Sequence, residues 1–270
     1  MIFNILLLGL HLFSPTVKLE SGKDLTLVGK GPPVVFSSGL YNTIPYFMYN
    51  KLLNKMKDKV TIVSINDFTP LGKKDIDDIA QTLNVDKISY ISHSSFNPEV
   101  LESKKINKAV LIDPICIPPF SVSSLRLKPP DTISINLDFP AKVYKADKLY
   151  NGRKTLPNWQ DPVFNDEVDS EIIPNVGHPD ILDDTWADVA KQLGLWETAQ
   201  SDPVNFEDWK FIKDENIKEL REKYRDYIAD KSLEFILPSD EKETEVFNNT
   251  VSAIIPEVLI EKIKINLLKI

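Results

Sequence analysis

Short strand-like runs alternate with helical segments over most of the chain, and this alternation limits the folds that the sequence can adopt. Strands that alternate with helices are typical of a mainly parallel sheet with helices on both faces. In such a sheet, ligands bind at the carboxyl ends of the strands, where the connecting loops meet. Four apolar, β-prone runs carry this prediction: residues 34–36, 60–66, 88–92 and 109–113.

The two ends of the chain differ from this pattern. Residues 17–20 and 25–28 flank a polar turn that contains Gly22, which predicts an antiparallel hairpin and therefore a mixed sheet. Near the other end, apolar residues at helical spacing predict a helix that begins near Ile217, and Pro256 opens a second apolar helix. The expected organisation is an N-terminal segment, an α/β core and a C-terminal helical region that packs on the core: residues 1–14, 15–200 and 201–270.

Residues 1–14 are mostly apolar and leave two interpretations open. Their apolar run is too short to span a bilayer, which takes about 20 residues, but it has the length of a signal-peptide core. If it is a signal or an anchor, the protein is secreted or membrane-associated, and this segment is its only expected membrane contact. If it is instead a buried edge strand or short helix, a cytoplasmic protein is expected.

The composition excludes several classes of function. The 270 residues include 32 basic and 40 acidic side chains, a net charge of −8, so we expect no nucleic-acid partner. A single Cys and three widely separated His predict no metal site. Nine Gly provide few glycine-rich loops for phosphate groups, and we expect no cofactor.

Ser94 is the candidate nucleophile. The run of residues 88–92 leads into His93-Ser94-Ser95-Phe96, and Pro98 suits the first turn of a following helix. A strand, a sharp turn that carries Ser and then a helix form a nucleophile elbow, which exposes the hydroxyl above the sheet. The usual elbow has glycine on both sides of the serine, G-x-S-x-G, whereas this chain has Ser92 and Phe96.

His178 is the candidate general base, because it lies in a Gly-containing loop after a late strand-like segment. A general base also needs a carboxylate that orients it. Asp113 and Asp147 both follow strand-like runs between Ser94 and His178, and the residues alone leave both as candidates. Three acids after His178 are interpreted as charges at a helix start, with calcium binding as the alternative: Asp180, Asp183 and Asp184.

Two backbone N–H groups are candidates for an oxyanion hole. Ser95 follows the nucleophile, and Leu40 follows the run of residues 34–36 in a segment where Gly39 permits a turn. Aromatic side chains in nearby loops are the expected substrate contacts: Tyr41, Tyr46 and Phe120.

Four segments resemble plant-type chlorophyllases and related carboxylesterases of the α/β-hydrolase superfamily. Residues 177–184, G-H-P-D-I-L-D-D, are similar to that family's G-H-x-D-x-L-D-D motif. Residues 111–115, L-I-D-P-I, resemble its D-P-V stretch, and residues 136–140 resemble the strand before its variable loop. His93 and Ser94 match its G-H-S-x-G-G elbow without the glycines. The resemblance spans residues 17–196; it implies the α/β-hydrolase fold and makes Asp113 the orienting acid.

The favoured function is a serine carboxylic-ester hydrolase that acts on a small lipophilic ester through Ser94, His178 and Asp113. Chlorophyll as substrate follows from the resemblance alone. Two alternatives remain at this stage: a catalytically weakened α/β-hydrolase homologue with a binding or structural role, and a membrane-anchored interaction protein.

Overall fold

The computed structural model describes residues 16–65, 70–116, 132–148, 161–165, 168–192 and 217–237. In these ranges eight strands form one sheet and two strands form a second, smaller sheet. The strands are β1 (Thr16–Lys18), β2 (Asp24–Gly29), β3 (Pro33–Ser37), β4 (Thr61–Ile65), β5 (Ile88–Phe96), β6 (Ile106–Cys116), β7 (Thr132–Ile135), β8 (Ala141–Lys148), β9 (Asp161–Phe164) and β10 (Asp169–Gly177).

The eight-stranded sheet has the order β1-β2-β4-β3-β5-β6-β8-β10. β2 pairs antiparallel with both β1 and β4, and all other neighbours in this sheet are parallel. This is the α/β-hydrolase fold that the sequence predicts: a mostly parallel sheet that opens with an antiparallel hairpin. Gly22 permits the tight turn of that hairpin, because its φ of 85° is a conformation that residues with a side chain rarely adopt.

Helices cover both faces of the large sheet. One face packs on α3 (Lys73–Thr82) and on the 3₁₀ helix Pro98–Glu102, and the other packs on α2 (Asn50–Met56), α4 (Asp184–Gln192) and α5 (Ile217–Ile236). The helices are α1 (Gly39–Asn42), α2 (Asn50–Met56), α3 (Lys73–Thr82), α4 (Asp184–Gln192) and α5 (Ile217–Ile236), together with the 3₁₀ helices Tyr46–Tyr49 and Pro98–Glu102.

The central strands β3, β4 and β5 are buried along their whole length. Strands that are covered on both faces are nearly continuous apolar runs, which is why the sequence predicts them well. β5 is the exception, because its second half is polar and nevertheless buried. Such polar groups need hydrogen-bond partners inside the protein. The carboxyl end of β5 is therefore where a functional site made of hydrogen-bonded polar side chains is expected.

The strand predicted over residues 133–137 forms, but outside the main sheet. β7 pairs in parallel with β9, and these two strands make the separate small sheet. Only Ile135 of β7 is fully buried, so this strand is not covered on both faces as the central strands are.

Several predictions concern residues outside the described ranges. They include the N-terminal segment 1–14, the linker and final helix after residue 237, and the loop that contains Phe120. Among the helices of the described ranges, none is long and apolar enough to cross a membrane.

Candidate active site

Ser94 lies within β5, and the strand continues beyond it. Ser95 pairs with Ile115 of β6, and Phe96 pairs with Cys116. The predicted helix does start at Pro98, as a 3₁₀ helix that ends at Glu102, but the predicted sharp turn at the serine is replaced by a strand that stays paired through Phe96. Ser94 is still set apart from the rest of the strand, because its φ of 64° lies in the left-handed region.

The continued strand explains why Phe96 is tolerated where an elbow requires glycine. In an elbow the chain reverses from strand to helix, and the positions on either side of the serine are crowded together. Here β5 continues past the serine, and the Phe96 side chain packs into the core on the α3 face, only 1% exposed.

Asp113 occupies the equivalent irregular position on the neighbouring strand β6. The register pairs His93 with Ile112 and Ser95 with Ile115, so Ser94 alone lies opposite both Asp113 and Pro114. This is a β-bulge, which bends a strand locally and redirects its side chains. Asp113 itself has a positive φ of 41°. Two adjacent strands are therefore irregular at the same level of the sheet.

The structure brings Ser94, His178 and Asp113 together. His178, directly after β10, places Nε2 2.7 Å from the Ser94 Oγ. Its Nδ1 forms a short hydrogen bond with Asp113 Oδ2. The second oxygen of Asp113 accepts the Ala146 N–H at 3.1 Å. All three side chains are at least 90% buried, so these polar contacts are shielded from water.

Asp147, the alternative acid, contacts a different partner. Its Oδ2 accepts the backbone N–H of Asn175 at 3.1 Å. Asn175 has a φ of 62° and lies where the pairing of β8 with β10 shifts between Ile173 and Gly177. Asp147 therefore stabilises the turn that leads to His178, whereas Asp113 contacts the imidazole itself.

The three acids after His178 bind basic or N–H groups of this chain. Asp180 accepts the Gly177 N–H at 2.6 Å and the Arg221 Nε–H at 2.8 Å. Asp184 pairs with Lys51 at 2.6 Å and with Arg225 at 3.1 Å. Asp183 Oδ1 accepts the Lys51 N–H. No group of three or more His, Cys, Asp or Glu in the described residues could hold a metal ion.

Sequence reasoning missed the part that α5 plays at this site. Arg221 and Arg225 of α5 are almost fully buried, which is rare for arginine. Arg225 Nη1 donates to the carbonyl oxygen of Leu182 at 2.7 Å, so both guanidinium groups hold the loop that follows His178. The chain has only four arginines. The one feature of the sequence that could have indicated this role is that two of them lie 4 positions apart on one predicted helix.

The proposed oxyanion loop lies against the serine. Gly39 starts α1, which directly follows β3 and also contains Leu40 and Tyr41. A Cβ on Gly39 would come within 3.2 Å of the Ser94 Cβ, so a side chain at this position would crowd the serine. The other predicted donor, Ser95, lies in β5.

The predicted substrate contacts are only partly placed. The Tyr46 hydroxyl lies 2.6 Å from Asn42 Oδ1 and 2.9 Å from the carbonyl oxygen of Phe36. These contacts hold the Tyr46 ring at the end of β3. Burial raises the pKa of the Tyr46 hydroxyl above its usual range. Tyr41 lies in α1, and Phe120 is outside the described ranges.

His93 is a second buried histidine that sequence reasoning assigned only to the elbow motif. Its Nδ1 lies 2.8 Å from the Tyr49 hydroxyl, and its Nε2 lies 2.8 Å from the carbonyl oxygen of His178. Burial, with a further contribution from the nearby His178, lowers the pKa of His93 to about 3. His93 is therefore neutral at physiological pH.

No protein-family model and no curated protein matches the sequence. Solved structures match with low identity. Carboxylesterase CesB (YbfK) from Bacillus subtilis is 11% identical, covering 68% of this chain and 92% of that chain, with a TM-score of 0.43. Naproxen esterase, also from Bacillus subtilis, is 11% identical over 67% and 90% of the two chains, with a TM-score of 0.42. An alpha/beta fold family hydrolase from Bacillus anthracis is 12% identical over 66% and 96%, with a TM-score of 0.41.

Proposed function

We propose that this protein is a serine ester hydrolase. One observation carries the proposal: Ser94, His178 and Asp113 form a continuous hydrogen-bonded chain, with 2.7 Å between the Ser94 Oγ and the His178 Nε2. A serine hydroxyl becomes a competent nucleophile when an adjacent base accepts its proton and a third group orients that base. These three residue types in this order are what acyl transfer requires.

The geometry supports one sequence of steps. The Ser94 oxygen attacks the ester carbonyl carbon while His178 Nε2 takes the hydroxyl proton. His178 then gives that proton to the departing alcohol, which leaves an acyl group on Ser94. A water molecule then attacks the acyl carbon while His178 takes its proton, and His178 gives that proton to the Ser94 oxygen as the bond to the acyl group breaks and the acid is released. Throughout, Asp113 holds the tautomer that leaves Nε2 as the acceptor and stabilises the imidazolium.

The N–H groups of Leu40 and Ser95 are the proposed donors to the oxyanion. Ser95 follows Ser94 in β5. Leu40 follows Gly39, which lies close to the Ser94 side chain. Donors that are fixed before the reaction stabilise the developing charge most strongly in a site shielded from water.

A small lipophilic ester is the proposed substrate. The proposal rests on the resemblance to chlorophyllases and related carboxylesterases and on the aromatic residues expected near the serine, of which Tyr46 adjoins the proposed oxyanion loop. A series of p-nitrophenyl esters with short and long acyl chains tests it. We expect kcat/KM to rise with chain length, and a constant or falling value would contradict a lipophilic substrate.

A fluorophosphonate probe tests the nucleophile directly. We expect it to label the wild-type protein on Ser94 and to leave Ser94→Ala and His178→Ala unlabelled. Ser92→Ala is the matched control, because Ser92 is a fully buried serine of the same strand, two residues away. Equal labelling of Ser94→Ala would contradict the assignment.

A catalytically weakened homologue is the second candidate, and the continuation of β5 favours it. The strand pairs with β6 beyond Ser94, and Ser94 is only 4% exposed. A serine this deeply buried in a paired strand is poorly accessible to a substrate. An absence of both labelling and ester hydrolysis in the folded wild-type protein would support this candidate and contradict the esterase proposal.

A further inference from the structure

His93 is a buried titratable group that the proposed reaction does not use. It is 1% exposed, lies next to Ser94 in the chain, and its ring centroid is 4.7 Å from that of His178. Both of its ring nitrogens are within hydrogen-bond distance of a partner, the Tyr49 hydroxyl and the carbonyl oxygen of His178. A buried imidazole with both nitrogens engaged is fixed in orientation.

The partners determine where the protons lie. The carbonyl oxygen of His178 can only accept, so the Nε2 of His93 carries a proton. A neutral imidazole then has a bare Nδ1, which accepts the proton of the Tyr49 hydroxyl. The Tyr49 oxygen in turn accepts the Gly39 N–H at 3.0 Å. The hydrogen bonds therefore run in one consistent direction, from Gly39 through Tyr49 and His93 to His178.

This arrangement joins two loops that are separate in the sheet. Gly39 starts α1 after β3 and precedes Leu40, the proposed oxyanion donor. His178 follows β10, which is an edge strand of the sheet, whereas β3 is a central strand. The Tyr49 ring is held edge-on, 5.1 Å from the Phe36 ring and 5.6 Å from the His93 ring between centroids. The connection is therefore packed as well as hydrogen-bonded.

We propose that Tyr49 and His93 are positioning residues that hold the backbone of Gly39 and of His178 at a fixed separation on either side of Ser94. The proposal rests on the proposed function, because it assigns Gly39 and His178 to the two halves of the esterase site. Reacting groups must be held close to their productive geometry, and displacements of about 1 Å can cost roughly 100-fold in rate. A neutral His93 also avoids repelling the positive charge that forms on His178 during the reaction.

Removal of the Tyr49 hydroxyl is the direct test. We expect Tyr49→Phe to lower kcat on a p-nitrophenyl ester by about 10- to 100-fold, up to the loss that a displacement of about 1 Å causes, while KM changes less than about threefold. Tyr144→Phe is the matched control, because Tyr144 is buried and its hydroxyl has no hydrogen-bond partner among the described residues. We expect that control to keep kcat within about twofold.

Substitutions of His93 separate positioning from packing. In His93→Gln the amide can still donate to His178 and accept from Tyr49, so this variant should retain more activity than His93→Leu. The double variant Tyr49→Phe/His93→Leu should be no slower than the slower of its two single variants, because both changes interrupt one chain of hydrogen bonds. Additive losses, or a Tyr49→Phe kcat equal to that of Tyr144→Phe, would overturn the proposal. Tyr49→Phe removes a single oxygen and keeps the test valid if His93→Leu does not fold.

A second measurement separates this proposal from the proposed function. If the fluorophosphonate probe does not label wild-type Ser94, the esterase proposal fails, and ¹⁵N NMR of the imidazoles still tests the positioning role. We expect His93 to be protonated on Nε2 alone at pH 7 and at pH 4.5, and its Nδ1 resonance to shift in Tyr49→Phe. An unchanged Nδ1 resonance, or protonation of both nitrogens near pH 6.5, would overturn the proposal.

Discussion

Arg221 on helix α5 forms a buried ion pair with Asp180, with 2.8 Å between the Arg221 Nε and the Asp180 Oδ1, although 41 positions separate them in the chain. The other oxygen of Asp180 accepts the N–H of Gly177, the residue before His178. A helix from the C-terminal region therefore holds the loop of the proposed general base.

Arg221→Met should destabilise the protein by about 3 kcal/mol, because the substitution leaves the buried Asp180 carboxylate without its cation. It should also lower kcat, since the Gly177 turn loses its support. Urea unfolding and ester hydrolysis measure the two effects. Lys223→Met is the control on the same helix, because Lys223 pairs with Glu219 in an exposed contact. Equal unfolding free energies for the two variants would contradict this role for α5.

Asp113→Asn should lower kcat by about 10⁴-fold, because an amide at this position favours the wrong tautomer of His178. Asp147→Asn should cost less than about tenfold, since the Asp147 carboxylate accepts a backbone N–H of the turn and not the imidazole. Steady-state kinetics with one ester compare the two variants. The reverse order of effects would show that Asp147 orients the base.

Phe96→Gly, which restores the elbow glycine, should not improve activity. The Phe96 side chain is buried in the core, and its removal should cost about 3–5 kcal/mol through lost burial and the cavity left behind. Thermal unfolding measures the loss, with Ile172→Ala as the control because Ile172 is 66% exposed. A variant that gains activity without losing stability would show that the chain can form a regular elbow.

Acid should destabilise the folded state in part through His93. Its pKa is about 3 when folded, against an ordinary value of 6.5, so between these values the unfolded chain binds a proton that the folded protein does not. The stability present above pH 6.5 is therefore lost as the pH falls toward 3, by at most about 1.4 kcal/mol per pH unit. Urea unfolding at pH 7, 5.5 and 4.5 should show a weaker acid dependence in His93→Gln than in wild type or Tyr144→Phe. Parallel curves for all three proteins would contradict a neutral buried His93.

Removal of residues 1–14 should leave the thermal midpoint nearly unchanged. The hairpin of β1 and β2 already supplies the first strands of the sheet, so the fold does not require a preceding strand. Differential scanning calorimetry of the shortened chain measures this, and a loss of several degrees would mean that the segment packs in the core.

Local pattern was sufficient for the mostly parallel sheet and for the candidates Ser94 and His178, whereas it left Asp113 and Asp147 both open as the acid. Apolar runs of the right length identify the central strands, because burial on both faces demands such runs. In a parallel sheet the carboxyl ends of the strands lie at one edge, so residues that follow different strands meet there. Ser94, Asp113 and His178 all follow strand-like runs, and their proximity was therefore predictable from order along the chain. Their catalytic roles stay a prediction.

Tertiary contacts decided what the local pattern left open. Residues 93–95 look like a turn because they are polar, yet the strand stays paired with β6 through Phe96, with only Ser94 in the left-handed conformation. The choice between Asp113 and Asp147 depended on the register shifts between β5 and β6 and between β8 and β10, which no local pattern encodes. The Arg221–Asp180 ion pair and the Tyr49–His93 hydrogen bond join residues 41 and 44 positions apart. Contacts between residues so far apart leave no periodic pattern in the sequence. Such a pattern reports whether a residue lies in a helix or a strand, whereas these contacts depend on how the helices and strands pack together.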